Sequence, residues 1–254
     1  MQASHLPVWR LVALSYADIW RALRAMPLLF GCAVLIALAA GIADDWLPES
    51  GPVYGTLTGI AESAAQYFCL TPVMIAFHRF IVRGDVTRSY AIDLAEPAFL
   101  LFFAWTMAIS TLFSLILTFG AALTTTVSAT GQSPLAILVL TAIALIAALW
   151  LFLRLIVLFP AIAVGTPGAR AGNALADTKR HDVRLFAIFV LAFIPMVAVA
   201  ILVTLGLGRG IMRHHSALWL ADRIVGAVVG SVVEILGVVI ASHIYLAIGR
   251  KVRG

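Results

Sequence analysis

Charged side chains are scarce in this 254-residue sequence: Asp, Glu, Lys and Arg make up 11% of it, against about a quarter in an ordinary soluble domain. The scarcity excludes a soluble globule, because one core of this size cannot hide a composition that is 63% hydrophobic. Cysteine is nearly absent. Cys32 and Cys69 lie inside apolar runs without CxxC spacing, which argues against a disulfide framework or a cysteine metal site. Walker A, HExxH, GxSxG and Rossmann fingerprints are also missing. Asp44 and Asp45 are adjacent, as are His214 and His215, but nothing nearby completes a metal site. The expectation is a protein that is not an enzyme, with no cofactor and no metal. The +5 net charge does not point to nucleic acid, since the basic residues fall in short segments between apolar runs and read as topology signals.

What is present is long apolar runs, with a mean hydropathy of +1.06. Six are long enough to cross a bilayer, near 26–46, 56–79, 98–124, 134–158, 185–206 and 222–248. They are too uniformly apolar for the alternating strands of a barrel. The fold class expected is an all-α polytopic membrane helix bundle, one integral domain over 1–254. The first run follows a long amphipathic segment and so reads as a retained span rather than a cleaved leader, although Ala37 to Ala43 contains small residues. Residues 8–24 form an amphipathic helix with Trp9, Val12, Tyr16, Trp20 and Leu23 on one face and Asp18, Arg21 and Arg24 on another. That pattern suits a helix lying in the headgroup zone, or one packed on the bundle.

Thirteen basic residues gather on one side of these spans: Arg10, Arg21, Arg24, Arg79, Arg83, Arg88, Arg170, Lys179, Arg180, Arg184, Arg250, Lys251 and Arg253. The other side has Arg209, Arg213 and Arg223, with Asp44, Asp45 and Glu49 in its first loop. The basic side, with both termini, is expected to be cytoplasmic.

Glu234 is the most informative residue. It falls near the middle of the last span, where a carboxyl is costly and normally faces protein or water. Gly226, Gly230, Glu234, Gly237 and Ala241 recur at helical spacing on one face. Small residues let another helix approach closely. Gly226, Gly230 and Gly237 are therefore a candidate helix-packing stripe, expected to carry Glu234 into a helix contact, and a candidate seam for a homo-oligomer. The second span presents Gly55, Gly59, Glu62, Ser63 and Gln66 on one face, and the third adds Thr111, Ser114 and Thr118. Glu62, Gln66, Ser114, Thr118 and Glu234 form a candidate polar pocket, open toward the outside. Two carboxyls there would suit proton coupling. The plainer reading is hydrogen bonding across the bundle.

Arg154 lies near the basic end of the fourth span. It is read as snorkelling to the surface or as a candidate contact to a lipid phosphate. Pro160 is expected to bend or end that span and leave an apolar element at the inner surface. Thr166-Pro167-Gly168 marks a turn, and 169–182 reads as a short helix. His78 and His243 read as interhelix hydrogen-bonding groups.

The stretch Arg154-Leu-Ile-Val-Leu-Phe-Pro160-Ala-Ile-Ala-Val164 is followed by Ala174-Leu-Ala-Asp-Thr-Lys179-Arg180 and Val183-Arg184-Leu. With the opening Tyr16-Ala-Asp-Ile-Trp-Arg21 to Pro27-Leu-Leu, it resembles the membrane domain attached to some glycerophosphodiester phosphodiesterases and its stand-alone relatives. Where those relatives continue with an acidic residue, this chain has Gly165-Thr-Pro-Gly168. The resemblance implies a six-helix protein of the bacterial inner membrane with no catalytic residues to carry over. Three functions are weighed: a structural or envelope-associated protein, a small transporter or channel using the polar pocket, and a lipid-handling enzyme or its membrane-bound partner. Membrane lipids are the expected partners.

Overall fold

The computed structural model describes residues 7–46, 52–207 and 217–254. Among the described residues there is no strand. In chain order the helices are α1 (Val8–Ala25), α2 (Pro27–Trp46), α3 (Pro52–Arg83), α4 (Pro97–Ala129), α5 (Leu135–Leu155), α6 (Leu158–Ala163), α7 (Ala171–Thr178), α8 (Asp182–Leu207), α9 (Ala217–Ile248) and α10 (Arg250–Arg253). Six are long and apolar enough to cross a membrane: α2, α3, α4, α5 with α6, α8 and α9. The chain is an all-α polytopic bundle. Glu49, Arg209, Arg213, His214 and His215 lie outside the described residues.

Three spans open on a proline, Pro27, Pro52 and Pro97. The proline ring presets the helical φ, and its missing N–H lies where the helix has no partner to offer. Several spans run a few residues past the expected limits. α4 continues to Ala129 and α9 begins at Ala217.

The core is not spread evenly along the bundle. Leu29, Phe77, Phe102, Leu185, Leu236 and Ile244 are almost fully buried, and all lie in the halves of their helices nearest the termini and basic loops. The opposite halves of α5 and α8 are largely bare, from Leu135 to Ile146 and from Ile194 to Leu202. These exposed side chains are apolar, as helices facing hydrocarbon require. The spans are thus packed at the basic end and loosened at the far end. Contacts at the far end include two specific ones. Asp45 of α2 accepts from Trp219 Nε1 of α9 at 3.1 Å and pairs with Arg223. Gly120 of α4 lets α5 approach, since a Cβ there would lie 2.5 Å from Thr141 Oγ1.

The basic end is organised around α6. The expected break in the fourth span occurs, but α5 ends at Leu155, before Pro160. The apolar element that follows is not at a surface: every residue of α6 is buried, against α3, α4 and α9. A helix end buried this way leaves carbonyls with no internal partner. Arg79 Nε donates to Ala163 O at 2.7 Å, and Arg83 donates to Val164 O. Arg79 also pairs with Glu96 at the head of α4. Two arginines of α3 therefore cap α6.

α1 takes the second of its two expected placements, packed on the bundle. It buries Leu11, Ser15, Asp18, Ile19 and Ala22 against α9, α8 and α3. Tyr16 packs inward and donates its hydroxyl to Ala192 O at 2.6 Å, while Trp9 and Trp20 point away from the bundle. The expected aromatic face is split because Asp18 faces inward. Its carboxyl lies 3.0 Å from His243 Nε2 and 2.7 Å from Arg21. Two partners offset the cost of burying it. The C-terminus is held by Asp177 of α7, which accepts from the Lys251 and Val252 backbone amides at 2.8 and 3.0 Å. Gly168 sits against this segment so closely that any side chain would strike the Lys251 carbonyl.

Replacing Arg79 by methionine keeps its apolar stem but leaves Glu96 without its ion-pair partner and the Ala163 carbonyl without its donor. The expected loss is about 1–3 kcal/mol, read as a lower thermal midpoint in detergent. An unchanged midpoint would show that the α6 cap contributes nothing.

Candidate functional site

Among the described residues, two prominent cavities lie between the spans. The larger, about 700 Å³, is enclosed by α3, α4, α5, α6, α8 and α9. Its wall is mostly aromatic and aliphatic, with Phe102, Phe113, Phe152, Phe189 and Phe193 prominent. The loosened packing of α5 against α8 makes room for it. Phe152 and Phe189 meet edge to face at 6.1 Å, and Phe189 stacks on Phe193 at 5.7 Å. Phe186 and Val190 line the cavity and are also exposed at the protein surface, so it opens sideways between helices. Few polar groups reach it. Glu234 is the one carboxyl, joined by Tyr67, His78, Thr106, Ser110 and Ser114. His78 is committed elsewhere: its Nδ1 is 2.8 Å from Ser242 Oγ, an interhelix hydrogen bond between α3 and α9.

The smaller cavity, about 550 Å³, lies between α2, α3 and α4 toward the far end. Asp44, Glu62, Ser63, Gln66, Ser114 and Thr118 line it, and Gly41, Gly55 and Gly59 leave space along its walls. Ser114 and Leu117 belong to both cavities, so the two share a wall on α4.

The five residues expected in one polar pocket are therefore divided. Glu62, Gln66, Ser114 and Thr118 come together, and Glu234 faces the apolar cavity beyond Ser114. The division follows from depth. Glu62 is in the far half of α3, whereas Glu234 is at the middle of α9, level with the phenylalanines. Asp44 joins the smaller cavity although its sequence context suggested only a loop; its place on the last turn of α2 was the available signal.

The glycine stripe is not packed along its whole length. Gly226 and Gly230 are exposed with open space around them. Gly237 faces the cavity, where a Cβ would come 3.8 Å from Phe193.

Arg154 is held by groups within the protein. Its guanidinium donates to Leu175 O of α7 at 2.8 Å, lies 3.6 Å from Asp182 at the head of α8 and sits 4.9 Å over the Trp150 ring. Its own carbonyl accepts from Thr178 Oγ1 at 3.0 Å. It ties the fourth span to α7 and α8. No group of three or more His, Cys, Asp or Glu side chains among the described residues is arranged to hold a metal.

No family model, no curated protein and no solved structure matches this chain.

Arg154→Gln should lower the thermal midpoint by several degrees, since about 1–3 kcal/mol is at stake when charged hydrogen bonds are lost. Bound anionic lipid, counted by native mass spectrometry, should not change. Loss of lipid with an unchanged midpoint would restore the phosphate reading.

Proposed function

We propose that this protein binds an amphiphilic molecule within the membrane, without catalysing a reaction, and presents it from the larger cavity. The observation that carries the reading is the apolar cavity of about 700 Å³, within the usual range for small-molecule sites. An apolar cavity is poorly suited to water, and an empty one leaves its lining without contacts. An apolar body satisfies that lining. The lateral opening at Phe186 and Val190 offers entry from the bilayer, and Glu234 with Ser110 and Ser114 supplies the few polar groups that orient a ligand. This favours the binding or transport alternative over a purely structural role.

The setting we propose is a bacterial inner membrane with both termini in the cytoplasm. The charge asymmetry supports that orientation: Arg79, Arg83, Arg170, Lys179 and Arg250 are among the basic residues at the end that holds α1 and α10.

Filling the cavity tests the reading. Gly237→Trp places an indole among the phenylalanines. Native mass spectrometry should then find the fraction of protein carrying a bound amphiphile reduced several-fold, with helicity unchanged. Equal occupancy in the two proteins would sink the proposal.

A second reading, a homo-oligomer through α9, is favoured by one observation. Gly226 and Gly230 are exposed and unobstructed in the single chain, as a close helix crossing requires. Gly230→Leu should abolish a crosslinkable dimer and leave the monomer folded; an undiminished dimer would remove α9 as the seam.

A further inference from the structure

The cavities also differ in charge from their surroundings in a way that selects a ligand. Three carboxyls line them: Glu234 in the apolar cavity, and Asp44 and Glu62 in its neighbour. Neither wall contains a lysine or an arginine. None of the three carboxyls has an ion-pair or hydrogen-bond partner among the described residues. Other acids are set against basic groups: Asp18 against Arg21 and His243, Asp45 against Arg223, Glu96 against Arg79, and Asp182, more distantly at 3.6 Å, against Arg154. Arg223, at the same end as the smaller cavity, is held by Asp45 and does not line it. Of the acids without such a partner among the described residues, Glu234, Asp44 and Glu62 line the cavities, whereas Asp85 and Asp222 lie away from them.

We infer that the two cavities form one site for a lipophilic cation, such as a hydrophobic amine or quaternary ammonium compound. This rests on the amphiphile-binding reading and names its ligand class. The apolar body lies among the phenylalanines, and the positive charge is drawn to the carboxyls on either side of Ser114. The sign follows from Coulomb's law. An anion beside these carboxyls finds no lysine or arginine on either wall, while a cation favours their ionised form and is attracted to it. In a low-dielectric setting that difference is far larger than in water. Aromatic faces add to it, because the ring quadrupole attracts a cation and not an anion.

Two probes of nearly identical shape and opposite charge test this: tetraphenylphosphonium and tetraphenylborate. Equilibrium binding of each would be measured to the full chain in nanodiscs of zwitterionic lipid, with empty nanodiscs subtracted. Tetraphenylphosphonium should bind saturably, and at least about tenfold more tightly than the borate, as expected for a desolvated charge contact. The double variant Glu62→Gln, Glu234→Gln should lose that preference while still binding the borate, which would also show that it is folded. Equal binding of both probes, or a preference for the borate, would overturn the cation inference and leave amphiphile binding standing. No saturable binding of either probe would overturn both.

Discussion

A backbone that breaks inside a membrane bundle must find hydrogen-bond partners within the protein. The fourth span breaks at Ile156 and Val157, and its continuation α6 is buried on all sides. The carbonyls of Ala163 and Val164 are met by Arg79 and Arg83. That requirement places two guanidinium groups of α3 beneath α6 and ties the head of α4 to them through Glu96. It also sets where the bundle is dense. α3, α4 and α9 close around α6, and most fully buried side chains collect at this end.

The far end follows from the same arrangement. With α5 and α8 joined near Phe152 and Phe189 and through Arg154 and Asp182, their remaining lengths carry almost no buried side chains. Hydrocarbon can cover the outward faces of such helices, so loosening them carries little penalty. Inside, the separation leaves the large cavity, whose phenylalanines are too few to fill it. The small residues of α2 and α3, Gly41, Gly55 and Gly59, leave space for the second.

Charge is used differently at the two ends. At the basic end Asp18, Glu96, Asp177 and Asp182 each hold one element to another, which makes α1, α7 and α10 parts of the bundle rather than appendages. Around the cavities the acids Asp44, Glu62 and Glu234 form no ion pair among the described residues. Paired acids serve assembly. Unpaired ones inside the membrane carry a desolvation cost that no ion pair in the fold offsets.

The sequence alone determined the solvent and the class of fold. A low charge content and six long apolar runs leave helices in lipid as the arrangement that satisfies every backbone group, and helical spacing put Glu62 and Gln66 on one face. The break near Pro160 and the interhelix role of His78 were legible for similar local reasons. What tertiary structure decided was which faces meet. The inward turn of Asp18 depends on His243, far away in the chain, and the capture of Arg154 depends on Leu175 and Asp182 after a turn. The division of the polar residues into two cavities depends on how α4 crosses between α3 and α5. Periodicity says that residues share a face of one helix, but in a membrane every neighbour is apolar, so pattern alone does not say whether that face meets lipid, another helix or a cavity.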